Sequence, residues 1–183
     1  MTFKPHSDPS HLYFLTATIL GWRPIFTDLA CAQIVLSSLD WHRRHGRWSL
    51  YAYVLMPNHL HAIVKPQGTQ TISSVLQSFG SFTAHALISQ MKSNERHEIL
   101  AFFAQRQDKD AGKQHQNWQP IQAKNVYSLL FLREKLDYTH SNPIAKQWHL
   151  VEDRADYAYS SACFYDREET PIVEVDDVQV WFV

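Results

Sequence analysis

The chain has 183 residues, 45% hydrophobic and 13% aromatic, which is enough for one sizeable core and leaves little room for a second domain. Its 17 Lys and Arg against 18 Asp and Glu give a formal net charge of −1, so the basic surplus typical of phosphate-binding proteins is missing overall. Cys31 and Cys163 have no spacing that suggests a disulfide framework or a zinc site, and the apolar stretch from Leu12 to Leu20 is too short to cross a bilayer. We therefore expect a cytoplasmic protein without a targeting or membrane segment.

Charge is unevenly distributed along the chain. Positive side chains and histidines crowd the stretch 42–47, whereas acidic residues dominate the part of the chain after residue 150. Once that acidic part is set aside, the remainder of the chain is basic. A surface for nucleic acid is therefore possible only as a local feature, and a solvated surface is the ordinary explanation of any single charge cluster.

The first half of the chain predicts a strand, a helix and a hairpin. Alternating strand-forming residues predict a strand over Leu12–Ile19. A helix follows, capped by Thr27 or Asp28 and ended by Gly46. Two further strands, Trp48–Met56 and His59–Val64, are joined by a turn at Pro57 and Asn58.

The second half predicts mainly helices. Apolar residues at helical spacing predict a helix over Thr71–Met91, and Asn94 then caps a short helix that ends near Ala104. The polar stretch Gln105–Asn117 is predicted to be an exposed loop. After it come a strand over Gln119–Tyr127 and a helix that begins at Ser128 and ends near Asn142, because Pro143 disfavours helical geometry in the residue before it.

This β-α-β-β-α-(α)-β-α order predicts an α+β fold. It suits a ferredoxin-like antiparallel four-stranded sheet with helices on one face, followed here by a C-terminal extension. The third strand would be central in such a sheet. It is the strand that carries His59 and His61.

His59 and His61 are the first candidates for chemistry. They lie two residues apart on a predicted strand, so both imidazoles leave the same face while Leu60 and Ala62 point to the other. Two neutral imidazoles side by side can bind a metal ion, although a lone His-x-His is more often a pair of surface or packing residues. A hard cation such as Mg²⁺ or Mn²⁺ would also need oxygen ligands.

Tyr138 and Asn142 are the second pair of candidates. They are four residues apart on the last turns of the predicted helix, which makes them neighbours on one face. Taken singly, a tyrosine there more often packs its ring against a sheet, and an asparagine more often ends a helix. A phenol and an amide oxygen facing one point would instead provide a nucleophile and a metal ligand.

Several ordered motifs together resemble the single-tyrosine HUH transposases, and within them the REP-associated tyrosine transposase-like branch. The motifs are YAYVLMPNHLHAIVKP (Tyr51–Pro66), NWQP (Asn117–Pro120), LREKLDYTHSNP (Leu132–Pro143) and LVEDRADYAYSSACFY (Leu150–Tyr165). The resemblance extends from about Leu12 to Tyr165. Several motifs in matching order are far more specific than any one of them.

The resemblance implies a function and assigns residues to it. His59, His61 and Asn142 take the positions of the metal ligands for Mg²⁺ or Mn²⁺, and Tyr138 takes that of the catalytic nucleophile. The implied activity is nicking and joining of single-stranded or hairpin DNA at palindromic repeats, by a monomer or a homodimer with no membrane partner. Residues 1–165 would form the transposase-like domain and residues 166–183 a C-terminal tail.

The sequence departs from the family around this site. The stretch IAKQWHLV (Ile144–Val151) is longer than the usual form, the helix near Gly80 and His85 lacks basic residues, and the part after Asp166 has no counterpart. Exposed tryptophans such as Trp41, Trp48, Trp118 or Trp148 are candidates for stacking on unpaired bases, with core packing as the alternative for most of them.

Two other functions compete with DNA transesterification. The first is a domesticated, non-catalytic DNA-binding regulator on the same fold, against which the intact residues His59, His61, Tyr138 and Asn142 argue. The second is a metal hydrolase for a small substrate, which would be expected to place carboxylate ligands near the histidines. The segment NHLHAIVKP contains none.

Overall fold

The computed structural model describes residues 11–106 and 117–178. Four strands form one antiparallel sheet in the order β2-β3-β1-β4: β1 (Leu12–Thr18), β2 (Trp48–Met56), β3 (His59–Pro66) and β4 (Gln122–Val126). The helices are α1 (Leu29–Arg44), α2 (Ile72–Ser93), α3 (His97–Ala104), α4 (Leu129–Ser141) and α5 (Ala162–Arg167). The predicted order and the α+β class are confirmed.

β3 lies between β2 and β1, so the predicted central position of the histidine strand is also confirmed. Its register pairs His59 with Thr18 and His61 with Thr16 of β1. On the other side, β2 pairs Met56 with His59 across the tight turn at Pro57 and Asn58. Hydrogen bonds from two neighbours therefore fix the backbone that carries both imidazoles.

α1 and α2 pack on one face of the sheet and enclose the main core. That core takes alternate residues of β3, among them Leu60 and Ala62, together with apolar side chains of both helices. α4 adds a layer on the opposite face, where its Leu132 packs with Phe14 and Ile63 in a second, smaller core. α1 and α2 thus form the predicted helical layer on one face of the sheet. α4 lies on the other face, where it brings Tyr138 over His59 and His61.

The predicted caps Asp28 and Ser128 are confirmed, and one predicted cap is wrong. The Asp28 side chain caps α1, Thr71 caps α2, and Ser128 caps α4 by accepting from the backbone N–H of Phe131. Asn94 was predicted to start the short helix, and that prediction is wrong. Its backbone N–H donates to the carbonyl oxygen of Gln90, so Asn94 ends α2, and α3 begins after Arg96 without a side-chain cap.

β4 is shorter than the predicted strand Gln119–Tyr127. Trp118 forms an isolated bridge with Ile19, and the Gln119 N–H donates to the Thr18 carbonyl. Regular pairing resumes only at Gln122, because Pro120 has no N–H to continue the ladder. The predicted loop over Gln105–Asn117 lies almost wholly outside the described residues.

The outer edge of β2 is covered by the chain that follows α4. Leu55 donates its N–H to Tyr159, Ser161 donates to Tyr53, and Asp176 donates to Leu50. The described part of the tail, residues 166–178, therefore packs along this edge, with Val173 and Val178 buried. An edge strand covered in this way presents no free ladder for pairing with another chain. No helix in the described ranges is long and apolar enough to cross a membrane.

Candidate active site

His59 and His61 leave the sheet on the face that α4 covers. Both are buried, and their ring centroids lie 4.8 Å apart. The period of two along β3 sends the side chains between them to the main core, as the sequence predicts. The two imidazoles are therefore neighbours in one sheltered location.

Hydrogen bonds determine which nitrogen of each imidazole is free. Nδ1 of His59 lies 2.7 Å from Oδ1 of Asn58, whose Nδ2 donates to the carbonyl of Trp22 at 3.1 Å. Nδ1 of His61 lies 3.1 Å from Oγ1 of Thr16 and 3.4 Å from the carbonyl oxygen of Leu15. These acceptors favour the proton on Nδ1 of both rings. Nε2 then carries the lone pair, which is the usual arrangement in a metal-binding histidine.

Burial also keeps both imidazoles neutral. Desolvation lowers the pKa of His59 to about 4, opposed by a hydrogen bond with the Asn142 side chain. Desolvation, followed by the positive charge of neighbouring His59, lowers the pKa of His61 to about 3. Near neutral pH neither ring needs to lose a proton before it can donate to a cation.

α4 places Tyr138 directly beside the histidines. The ring of Tyr138 is 5.2 Å from that of His61 and 6.0 Å from that of Phe14, and its side chain is 48% exposed. Asn142 follows one turn later, buried at the end of the helix, and its Nδ2 donates to the Tyr138 carbonyl at 2.9 Å. All four residues predicted for the site, His59, His61, Tyr138 and Asn142, line one cavity of about 590 Å³.

An ion-pair network holds α4 in this position. Arg154 donates to Asp137 on α4 and to Asp166 on α5, each at 2.7 Å. Asp137 immediately precedes Tyr138, so the guanidinium fixes the helix beside the tyrosine. Arg154 belongs to the segment Leu150–Tyr165, so this contact ties that segment to α4.

The cavity carries positive and no negative side chains. Lys124 and Lys135 line it, and no Asp or Glu does so among the described residues. The ammonium of Lys135 lies 5.3 Å from the ring centroid of Tyr138 and also pairs with the carboxylate of Glu134 at 2.7 Å, outside the cavity lining. A nearly neutral chain thus forms a local site suited to an anion.

Sequence reasoning missed Lys135, Asn58 and Trp22. Lys135 precedes Tyr138 by three residues, a helical spacing that places both on one face, so the sequence carried a signal for it. Asn58 was predicted only as a turn residue, although its side chain orients His59. Trp22 lines the cavity from the β1–α1 connection, and no sequence pattern indicated its position.

The four tryptophans considered as base-stacking candidates have different surroundings. Trp48 and Trp118 are buried in the main core, as the packing alternative predicts. Trp41 is exposed on α1 and stacks on His45, away from the cavity. Trp148 lines the cavity, with its ring 5.9 Å from that of His59.

The donor set at the site fits a divalent cation that keeps open positions. In the two described ranges, no three His, Cys, Asp or Glu side chains form a metal cluster. The two imidazoles and the side-chain amide of Asn142 nevertheless line the same cavity, so two ring nitrogens and one amide oxygen are available there as donors. A closed structural zinc site would require four ligands, whereas three donors leave room for water and a substrate oxygen.

Comparison with known proteins supports the same architecture. No protein-family model and no curated protein sequence matches the chain. Among solved structures, a REP-associated tyrosine transposase bound to a REP hairpin matches with a TM-score of 0.65 and 19% sequence identity, over 97% of this chain and 93% of that one. The chain has the tyrosine transposase fold. The resemblance that its motifs predicted is thereby confirmed for the fold, and that transposase fold brings the four site residues together.

Proposed function

We propose that the protein is a metal-dependent transesterase that nicks and rejoins single-stranded or hairpin DNA through Tyr138. The observation that carries this proposal is the composition of one cavity: an accessible tyrosine, two neutral imidazoles, two lysines and no described carboxylate. Such a site provides a nucleophile and positive potential for a phosphodiester. The structural neighbour, which is bound to a REP hairpin, supports the substrate class.

Tyr138 would supply the nucleophile. A free phenol has a pKa of about 10, so it attacks a phosphodiester only when its oxyanion is stabilised. Lys135, one helical turn away, would supply positive charge near the Tyr138 ring, although its ammonium also pairs with Glu134. The Tyr138 oxygen bonds to phosphorus as the bond to the 3′-oxygen breaks; the phenol gives its proton to water, and the departing 3′-oxygen takes one up from water. The products are a 5′-phosphotyrosine and a free 3′-hydroxyl.

His59, His61 and Asn142 would hold Mg²⁺ or Mn²⁺. Such a cation polarises the scissile phosphate and stabilises the charge that develops during attack. The protein's own contribution is to orient the ligands: Asn58 fixes His59, and the Tyr138 carbonyl fixes Asn142. Nucleophile and ligand therefore share one helix end, which preserves their geometry.

Strand joining follows from the same chemistry. The tyrosine linkage preserves a phosphodiester, so the 3′-hydroxyl of another strand can attack it and release Tyr138. No ATP is consumed. Single-stranded or hairpin DNA suits this site because a phosphate inside a regular duplex does not bend easily into a cavity between a sheet and a helix.

A pooled capture experiment tests the proposal and selects the recognised sequence at the same time. Purified protein is incubated with hairpin oligonucleotides that carry randomised single-stranded flanks, in Mg²⁺, Mn²⁺ or excess EDTA. Covalent adducts are recovered after denaturation and sequenced. We expect adducts with either metal, none in EDTA, and none with the paired duplex of the selected sequence.

Two results would contradict the proposal. Binding of hairpins without any adduct in Mg²⁺ or Mn²⁺ would favour the non-catalytic DNA-binding regulator. Equal cutting in EDTA would refute the metal requirement.

A further inference from the structure

Trp22 is a large aromatic side chain exposed at the candidate active site. It is 58% exposed, it lines the same cavity as Tyr138, and its ring lies edge-on to that of His59 at 6.1 Å. Exposed tryptophans are common where a protein contacts a ligand, whereas tryptophans that only pack in a core are mostly buried. The location therefore suggests a binding role.

The backbone holds Trp22 in an unfavourable conformation. Its φ is 56°, in the left-handed region that bulky side chains rarely adopt. The preceding Gly21 also has positive φ, and a Cβ at that position would lie 2.3 Å from the ring of Phe102. The turn is thus tightly fitted and carries a strained residue whose ring remains largely in water.

Two hydrogen bonds keep the turn in place. The Trp22 N–H donates to the carbonyl of Ile19 at 2.9 Å, and the Trp22 carbonyl accepts from Nδ2 of Asn58 at 3.1 Å. Asn58 is also the residue that orients His59. The position of the indole is therefore coupled to the candidate metal ligand, so that a molecule on the ring is held close to the reacting centre.

Positively charged side chains lie on the chain next to Trp22 as well as in the cavity. Exposed Arg23 follows Trp22 directly, with its guanidinium 4.2 Å from the ring centroid of Phe102, and Arg106 lies 3.8 Å from the same ring. Lys124 and Lys135 line the cavity itself. An aromatic surface between cations is the arrangement with which proteins bind single-stranded nucleic acid: bases stack and phosphates pair with charge.

We propose that Trp22 is a stacking platform for an unpaired nucleobase next to the reacting phosphate. The proposal rests on the proposed function, since it names a contact made by the same single-stranded DNA. The indole takes the flat face of a base, a contact that tolerates different base identities. It thereby positions the strand beside Tyr138.

Base-dependent binding tests the proposal. The probes are fluorescein-labelled dT12 and a 12-mer of abasic residues with the same phosphates, titrated by anisotropy against Tyr138→Phe protein, which does not consume the DNA. We expect dT12 to bind more tightly than the abasic strand. In the Trp22→Asn background dT12 affinity should fall about five- to a hundredfold, while affinity for the abasic strand should stay unchanged.

Two variants separate stacking from folding. Asparagine tolerates positive φ, so Trp22→Asn keeps the turn and its carbonyl while it removes the ring. Its thermal midpoint should stay close to that of the parent. Trp41→Ala removes another exposed tryptophan, 46% exposed on α1, and should change neither affinity.

The outcomes distinguish this inference from the proposed function. Retained preference of Trp22→Asn for dT12, or equal loss for both probes with a lower thermal midpoint, would overturn the platform even if the wild type forms adducts. If Trp22→Asn loses the preference for dT12 but the wild type forms no covalent adduct with DNA, the platform would be supported and catalysis refuted. Absence of dT12 binding by the parent would overturn the platform, whereas the capture experiment with hairpins alone decides catalysis.

Discussion

The side-chain amide of Asn142 donates to the backbone carbonyl of Tyr138 at a distance of 2.9 Å. Because Nδ2 is engaged there, Oδ1 of Asn142 is the atom that remains for a cation. One turn of α4 therefore orients both a candidate nucleophile and a candidate metal ligand. Displacement of this helix end would disturb the two together.

Tyr138→Phe should abolish nicking and the covalent adduct, by about 10³-fold or more, because it removes the attacking oxygen. DNA and metal binding should persist, since the ring remains. Mass spectrometry of the trapped adduct and gel assays measure the result. Tyr127→Phe is the matched control, because Tyr127 is exposed beyond β4 and does not line the cavity. An adduct on another tyrosine would refute the assignment.

His59→Ala and His61→Ala should each weaken Mn²⁺ binding by more than about 100-fold and stop cleavage. Each removes a donor atom, and the loss of a buried imidazole should cost about 1–2 kcal/mol of unfolding free energy. Calorimetric titration with Mn²⁺ and thermal unfolding measure the two effects. A large cooperative loss of stability, with cleavage surviving in the folded fraction, would indicate that His59 and His61 serve packing and do not bind a metal.

Asn58→Ala should reduce Mn²⁺ affinity about 10–100-fold while both histidines remain, because Nδ1 of His59 loses its acceptor. Asn58→Asp keeps an acceptor at that position and should retain more affinity. The same calorimetric titration compares the two variants. Equal losses in both would indicate that Asn58 serves only the turn through its bond to Trp22.

Lys135→Gln should lower the nicking rate about 10- to 100-fold, because it removes the ammonium that lies 5.3 Å from the centroid of the Tyr138 ring. It should also reduce the dependence of single-strand binding on salt by about 0.7 in log–log slope. Single-turnover assays and titrations at several salt concentrations provide both values. Lys92→Gln, an exposed site at the end of α2, should change neither. An unchanged rate in Lys135→Gln would remove Lys135 from the mechanism.

Folding should be acid-sensitive through His42, which lies in the main core outside the site. Burial lowers the pKa of His42 below its ordinary value of 6.5, so the folded state keeps the ring neutral. The unfolded chain takes up a proton on this imidazole below pH 6.5. The stability that comes from keeping His42 neutral is therefore complete above pH 6.5 and is lost as the pH falls toward the lower pKa that His42 has in the folded state. Urea unfolding between pH 7.5 and 5 should show a smaller decline for His42→Gln than for the wild type. Parallel declines would contradict this assignment.

Local patterns were enough to predict the elements and the residues that carry the chemistry. A period of two placed His59 and His61 on one face of a strand, and a helical spacing of four placed Tyr138 beside Asn142. Both predictions follow from the regular geometry of strands and helices, because the spacing of residues in the sequence is enough to show which side chains share a face. The helix starts at Asp28 and Ser128 were predicted from their capping side chains, whereas apolar spacing predicted the helix that begins after Thr71.

Only the tertiary structure decided what surrounds those residues. The contact of Trp22 with His59 and the hydrogen bonds of the tail along β2 join segments that are far apart in the sequence, so they depend on how those segments pack. The positive cavity has the same origin, because a net charge of −1 says nothing about where each charge lies. Periodicity fixes the direction of a side chain relative to its own element, whereas packing between elements determines what it meets.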